Sequence, residues 1–147
     1  MKKREGLGVK GVWEIATFDV NTGEIKEKEI KENMIVNTGL ERLAKLLNGV
    51  STTYFDYIAI GSGNTEPTEN DTTLESELSR LQADTSYESD YKSVLEKTFL
   101  FTSAQVIREA GCFSSDDVML NRVTFSDKNV DENTGIHVKF WITVSRV

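Results

Sequence analysis

The sequence predicts a mainly β fold of the α+β kind, an antiparallel β-sandwich or barrel packed on one α-helix at about residues 37–49. Apolar and polar residues alternate through many short stretches, the period of a strand with one buried face. Turn formers such as Asn21-Thr22-Gly23 and Asp116-Asp117 separate those stretches, as in sandwiches and barrels. A single segment, NTGLERLAKLLNG, carries helical spacing, with Leu40, Leu43, Ala44 and Leu47 on a common face. The expected architecture is a sheet protein folded around that helix.

Residues 1–10 are polar and glycine-rich and read as a flexible or strand-exchanging arm. Residues 9–20 alternate, with Val12, Glu14, Ala16 and Phe18 in one row and Trp13, Ile15 and Thr17 in the other. After the turn, residues 24–34 resume as the second strand of a hairpin. Their comb of Lys and Glu around Ile25 and Ile30 suits an edge or an exposed face. Asn37 or Thr38 offers an oxygen to the first free N–H groups of the helix, and Asn48 with Gly49 permits the left-handed turn that ends it.

Residues 54–60, YFDYIAI, read as a buried strand that runs into the loop Gly61-Ser62-Gly63-Asn64. Residues 70–75 read as a capped short helix or turn, with Leu74, Leu78 and Leu81 as its apolar side. The polar run 83–93 reads as a long exposed loop. Strands are expected at 94–102, 105–113 and 118–125, and a loop at 127–135. The closing strand, 135–147, sets Ile136, Val138, Phe140, Ile142 and Val144 against His137, Lys139, Trp141, Thr143 and Ser145. With no internal repeat and no composition break, residues 1–147 fit one domain.

The chain carries 17 basic and 24 acidic residues, a net charge of −7 that repels phosphate backbones, so no nucleic-acid partner is expected. It has neither a basic amphipathic surface for anionic lipid nor an apolar run of bilayer length, so no membrane partner is expected. Cys112 is the only cysteine, which rules out an internal disulfide and leaves stability to packing or partner subunits. The start, MKKREGLG, is basic but has no apolar stretch behind it, so it is no secretory signal and folding in a cytosol is expected. Pro67, the only proline, excludes Pro-rich linkers.

No constellation of residues announces chemistry, and no catalytic, cofactor-binding or metal-binding residue is assigned. Gly61-Ser62-Gly63-Asn64-Thr65-Glu66 has the look of a phosphate cradle. It lacks the Lys and Ser/Thr that would meet charge and metal, and Glu66 and Pro67 stand there instead. Asp127, Asn129 and Asp131 begin a calcium-loop spacing. The spacing fails where Glu132 replaces the turn glycine and Val138 the bidentate acid. His137, the only histidine, lies on a strand's outer row, and Cys112 reads as a small apolar side chain. Arg108 and Glu109 form the exposed row of an alternating strand or pair across a subunit interface. Trp13, Tyr54, Phe55, Phe140 and Trp141 read mostly as core residues, with one or two of them as partner anchors. The interface candidates are therefore Trp13, Arg108, Glu109 and Trp141.

Several segments, in this order, resemble a pattern in structural proteins of tailed-bacteriophage virions. They are Asn33-Met34-Ile35-Val36-Asn37-Thr38-Gly39-Leu40 before the helix, and Tyr57-Ile58-Ala59-Ile60-Gly61-Ser62-Gly63. Behind these come Asp71-Thr72-Thr73-Leu74-Glu75-Ser76-Glu77 with Arg80, then Ile107-Arg108-Glu109-Ala110-Gly111-Cys112-Phe113, then Asn121-Arg122-Val123-Thr124-Phe125. The Trp-containing segment 138–144 closes the series. The resemblance spans residue 33 to the C-terminus. In tail-fibre proteins such a unit leads a long fibre. This chain stops where the unit stops, so the resemblance implies a free-standing virion component, a tail or baseplate accessory or a capsid decoration protein. It implies no enzymatic activity and no cofactor. The partners it implies are further copies of the chain, as a homo-oligomer such as a trimer or ring, and other virion proteins. The expected location is the virion, after synthesis in the host cytoplasm. The alternative is a receptor- or carbohydrate-binding module of a phage tail that uses exposed aromatics at 86–91 or Trp141.

Overall fold

The computed structural model describes residues 6–147. Ten elements follow one another: β1 (Leu7–Asp19), β2 (Ile25–Asn33), α1 (Asn37–Leu47), β3 (Phe55–Gly61), β4 (Glu77–Gln82), β5 (Asp84–Glu88), β6 (Lys92–Phe99), β7 (Gln105–Ser114), β8 (Met119–Val130) and β9 (Thr134–Arg146). They form a five-stranded sheet in the order β2-β1-β9-β6-β5 and a four-stranded sheet in the order β4-β3-β7-β8. Every pairing is antiparallel. The two sheets pack as a sandwich, as the alternation and turn spacing predict.

The main core lies between the sheets. The inner rows of β1 (Trp13, Ile15), β6 (Leu95, Phe99) and β9 (Ile136, Val138, Phe140, Ile142) meet those of β3 (Ile58, Ile60), β7 (Ile107, Ala110, Cys112) and β8 (Leu120, Val123, Phe125). Each large side chain so buried stabilises the fold by about 1.5–3 kcal/mol before chain entropy is counted. A second, smaller cluster of Val36, Ala59, Leu74, Phe113 and Met119 covers the outer face of the four-stranded sheet. The β7 strand is consequently enclosed on both faces.

Both sides of the sandwich are partly closed. On one side a single residue, buried Ala83, carries the chain from β4 in one sheet to β5 in the other, with its N–H donating to Asp56 O at 2.7 Å. On the other side β2 runs beside β8. Ile35 bridges to Asn121, and the ammonium of buried Lys128 donates to Glu29 at 2.6 Å and to Ser126 at 2.7 Å. Charges turned inward at a sheet edge are a common way of ending a sheet.

The helix forms where the leucine spacing places it, but it lies against the sandwich and not at its centre. Its only buried residue is Gly39, and Leu47 is 84% exposed. Leu43 and Leu46 lean on the main core. A Cβ at Gly39 would strike the backbone of Leu120, so the glycine sets how closely α1 approaches β8. The expected side-chain cap is absent, because Val36 holds the N-cap position. Thr38 donates instead to Met119 O at 2.8 Å, and Asn37 to Asn70 Oδ1 at 2.9 Å. The chain leaves the helix through Gly49 at φ +77°.

Two further expectations are corrected. Residues 83–93 are not a loop, because β5 pairs with β6 from Asp84↔Glu96 to Glu88↔Lys92. Leu78 and Leu81 lie on strand β4, both exposed, and only Leu74 is buried. The arm expected at residues 1–10 falls partly outside the described residues. From Leu7 onward it is β1, paired with β9 as far as Leu7↔Arg146.

Candidate functional site

The most elaborate polar arrangement centres on Glu109, which is fully buried on the outer face of β7. The loop 62–76 folds over that face and aims backbone donors at the carboxylate. Oε2 accepts from the N–H of Gly63 at 2.7 Å and of Ser76 at 2.8 Å. Oε1 accepts from the N–H of Glu75 at 2.8 Å and from Arg122 Nε at 2.9 Å. Arg122, itself 3% exposed, reaches on to Thr65 O at 2.8 Å and to Asp71 Oδ2 at 3.3 Å. Asp71 is partly buried, which opposes its ionisation. The N–H and hydroxyl of Thr68 and the Arg122 guanidinium outweigh that and hold its carboxyl below the usual range. Glu75, in turn, accepts from the Thr65 hydroxyl and from the N–H of Asn64.

This knot explains the Gly-x-Gly step. A Cβ on Gly63 would collide with Glu109 Oε2 and with Glu75, and one on Gly61 with Ser76 O. The loop does present backbone N–H groups to an anion, as its phosphate-cradle look suggests. The anion is the protein's own glutamate. Glu109 is therefore neither an exposed row nor part of a surface pair. Its partner is Arg122, in the same chain.

The other interface candidates separate. Trp13 is fully buried in the main core, with its ring 4.9 Å from that of Phe140, so it offers no surface. Arg108 is half-exposed and pairs with Asp127 at 2.9 Å while reaching Ser62 O at 3.3 Å. Trp141 lies half-buried on the outer face of the five-stranded sheet, opposite Val12 on one side and Val94 on the other. Arg80 stacks over Phe113 at 3.8 Å and pairs with Glu77 and Asp117, each at 2.7 Å. Arg42 holds α1 to the β7–β8 turn through Asp116 at 2.6 Å and to the segment before β3 through Thr53 O at 2.9 Å. That guanidinium, with the Ser114 hydroxyl, keeps the Asp116 carboxyl well below the usual carboxylate range.

His137 and Cys112 do not converge. The imidazole Nδ1 shares a 2.7 Å hydrogen bond with Thr98 on the outer face of one sheet. Cys112 is enclosed in the core on the other, and burial pushes its thiol well up. Asp127 and Asn129 belong to strand β8, so they do not wrap around a common point as calcium ligands do. Among the described residues no group of three or more His, Cys, Asp or Glu is placed to hold a metal ion. Among the described residues no helix is long and apolar enough to cross a membrane.

The surface features that remain open are apolar or extended. A groove of about 340 Å³ opens at one end of the sandwich between α1 and the five-stranded sheet, lined by Leu43, Leu46, Tyr54, Leu95, Phe140 and Val144 among others. It shares Val144 with a shallow depression lined by Leu7 and Tyr91, both strongly exposed. Tyr87 and Tyr91, 70% and 68% exposed, project from the β5–β6 hairpin, whose turn holds Asp90 and Tyr91 at positive φ. Set beside family models, curated proteins and solved structures, the chain has no significant match to any of them.

Proposed function

We propose that this protein is a non-enzymatic structural component of a tailed-phage virion, assembling in multiple copies on the tail or baseplate or on the capsid as a decoration protein. The reading is supported above all by where the phage-like segments meet. Gly61 with Gly63, Asp71 with Glu75, Glu109, and Arg122 come from four segments of that resemblance, and all take part in the buried Glu109 knot. In a family defined by architecture, the recurring residues are expected to be those that fix a loop on a sheet. The apolar groove and the exposed strand edges suit adhesion to other protein surfaces. Many copies on one particle turn weak contacts into firm attachment.

The test is co-sedimentation of the purified chain with phage shells and with tails, followed by a particle reconstruction. Saturable binding to either, with density fitted by this sandwich, is the expected result. Failure to bind shells and tails alike would overturn the proposal. The exposed Tyr87 and Tyr91 favour a second reading, a receptor- or carbohydrate-binding tail module. Glycan binding that disappears in Tyr87→Ala and Tyr91→Ala variants would favour that reading over scaffolding.

A further inference from the structure

Among the described residues strand β2 ends the five-stranded sheet, pairing with β1 on one side while its inner face runs beside β8. It is mostly exposed along its length, and its outer-face Ile30 is 58% exposed. Charges on an edge strand ordinarily discourage pairing. Here the order of the signs does the reverse. Around Ile30 the chain reads Lys28-Glu29-Ile30-Lys31-Glu32, so reading it backwards replaces every Lys with Glu and every Glu with Lys.

We propose that two copies of this chain join edge to edge through β2, antiparallel about a two-fold axis that passes beside Ile30. A two-fold perpendicular to a sheet requires that one residue face its own copy, because side chains alternate between faces. With Ile30 facing Ile30, Lys28 faces Glu32 of the second copy and Glu29 faces its Lys31, and each pair occurs twice. Centring on Glu29 or Lys31 sets like charges opposite each other at the axis, and centring on Lys28 or Glu32 does the same. Opposite charges directly across a strand pair stabilise it, and like charges destabilise it.

The rest of the sheet extends this match. Lys28 already leans diagonally on Glu14 of β1 at 3.4 Å, and Glu32 on Lys10 at 2.8 Å. The joined sheet therefore sets Glu14, Lys28, Glu32 of the second copy and Lys10 of the second copy in a row of alternating sign. On the inner face Lys31 has no ion partner among the described residues and comes opposite Glu29 of the second copy, one oxygen of which already holds Lys128. The backbone N–H and C=O groups of two open edges are satisfied in the same step. The result assigns a surface to the self-assembly part of the proposed function and rests on that part alone.

The test uses two single substitutions at exposed positions, Lys28→Glu and Glu32→Lys, followed by sedimentation equilibrium. The wild-type chain is expected to show reversible association to twice its 16.5 kDa mass. Each variant alone places like charges opposite each other twice, and its dissociation constant is expected to rise about tenfold or more. An equimolar mixture of the two is expected to restore dimers, because Glu at 28 of one chain then faces Lys at 32 of the other. Circular dichroism is expected to show both variants folded. Association unaffected by either substitution, or lost in both without recovery in the mixture, overturns the β2 register and leaves assembly through another surface standing. A wild-type chain that stays monomeric overturns both the register and self-assembly, whereas shell and tail binding is read separately.

Discussion

Replacing Glu109 by Gln tests whether the buried knot holds the loop 62–76 on the sheet. The substitution keeps the shape and removes the charge. Each carboxylate oxygen accepts two hydrogen bonds, from Glu75 N and Arg122 Nε on Oε1 and from Gly63 N and Ser76 N on Oε2. Whichever way the amide turns, its NH₂ faces two donors, so two bonds are lost. Arg122, 3% exposed, is then left with Asp71 at 3.3 Å as its counter-charge. Breaking a buried ion pair from one side costs about 3–5 kcal/mol. For a chain of this size that corresponds to a fall of about 6–20 °C in Tm. It is a large fraction of the roughly 5–15 kcal/mol that holds a domain folded. Urea unfolding followed by circular dichroism measures the loss, and amide exchange at Gly63, Glu75 and Ser76 localises it. Adding Arg122→Met to Glu109→Gln removes the uncompensated charge, so the double variant is expected to lose at least about 1 kcal/mol less than the sum of the singles. A single-variant cost under about 1 kcal/mol, or exchange unchanged at those three amides, would refute the reasoning.

Three other outcomes are expected. Gly63→Ala drives a Cβ into Glu109 and Glu75 and should cost about 1–3 kcal/mol. Gly23→Ala meets no atom within 4 Å and pays only for its φ of +77°, about 1 kcal/mol, and denaturation midpoints compare the two. Stability should fall as pH drops below about 4, because carboxyls whose folded pKa is lowered contribute stability above their unfolded value and lose it as they protonate. Asp116 and Asp71 are two such groups, so Asp116→Asn should flatten the acid limb of a Tm-against-pH curve. Finally, Lys128→Met keeps the buried stem and removes the ammonium; the Glu29 carboxylate left behind is 25% exposed and can be hydrated, unlike Arg122, so stability should change by no more than about 1 kcal/mol. Lys128→Ala, which also empties that space, should cost about 2–4 kcal/mol by the same unfolding assay.

The β1–β2 hairpin, the β9 alternation and the position of the helix are all legible in the residue order, because each follows from local periodicity or a turn signal. What covers a face is not local. The leucines of α1 mark an apolar stripe, yet the core that the helix might have centred is supplied by Trp13, Phe99, Phe140 and their neighbours on strands far apart in the chain. Residues 84–88 lack alternation because an edge strand exposed on both faces has no need of it. The spacing of Leu74, Leu78 and Leu81 suits a helix, but pairing of β4 with β3 overrides it. Glu109 shows the limit most plainly. Alternation places it on the outer row of β7, where it does lie, but a loop from more than thirty positions earlier covers that row. The available signal was the joint presence of Gly61, Gly63, Asp71, Glu109 and Arg122, which separates into weak pieces unless their meeting point is known.

Cys112 gives this protein a built-in clock. Its sulfur lies at the middle of the sandwich with no exposed surface, and burial keeps it in the unreactive thiol form. A disulfide reagent added to the native protein has no second cysteine to consume it. The rate of thiol consumption therefore counts how often the sandwich comes apart, which yields an opening frequency without any added label.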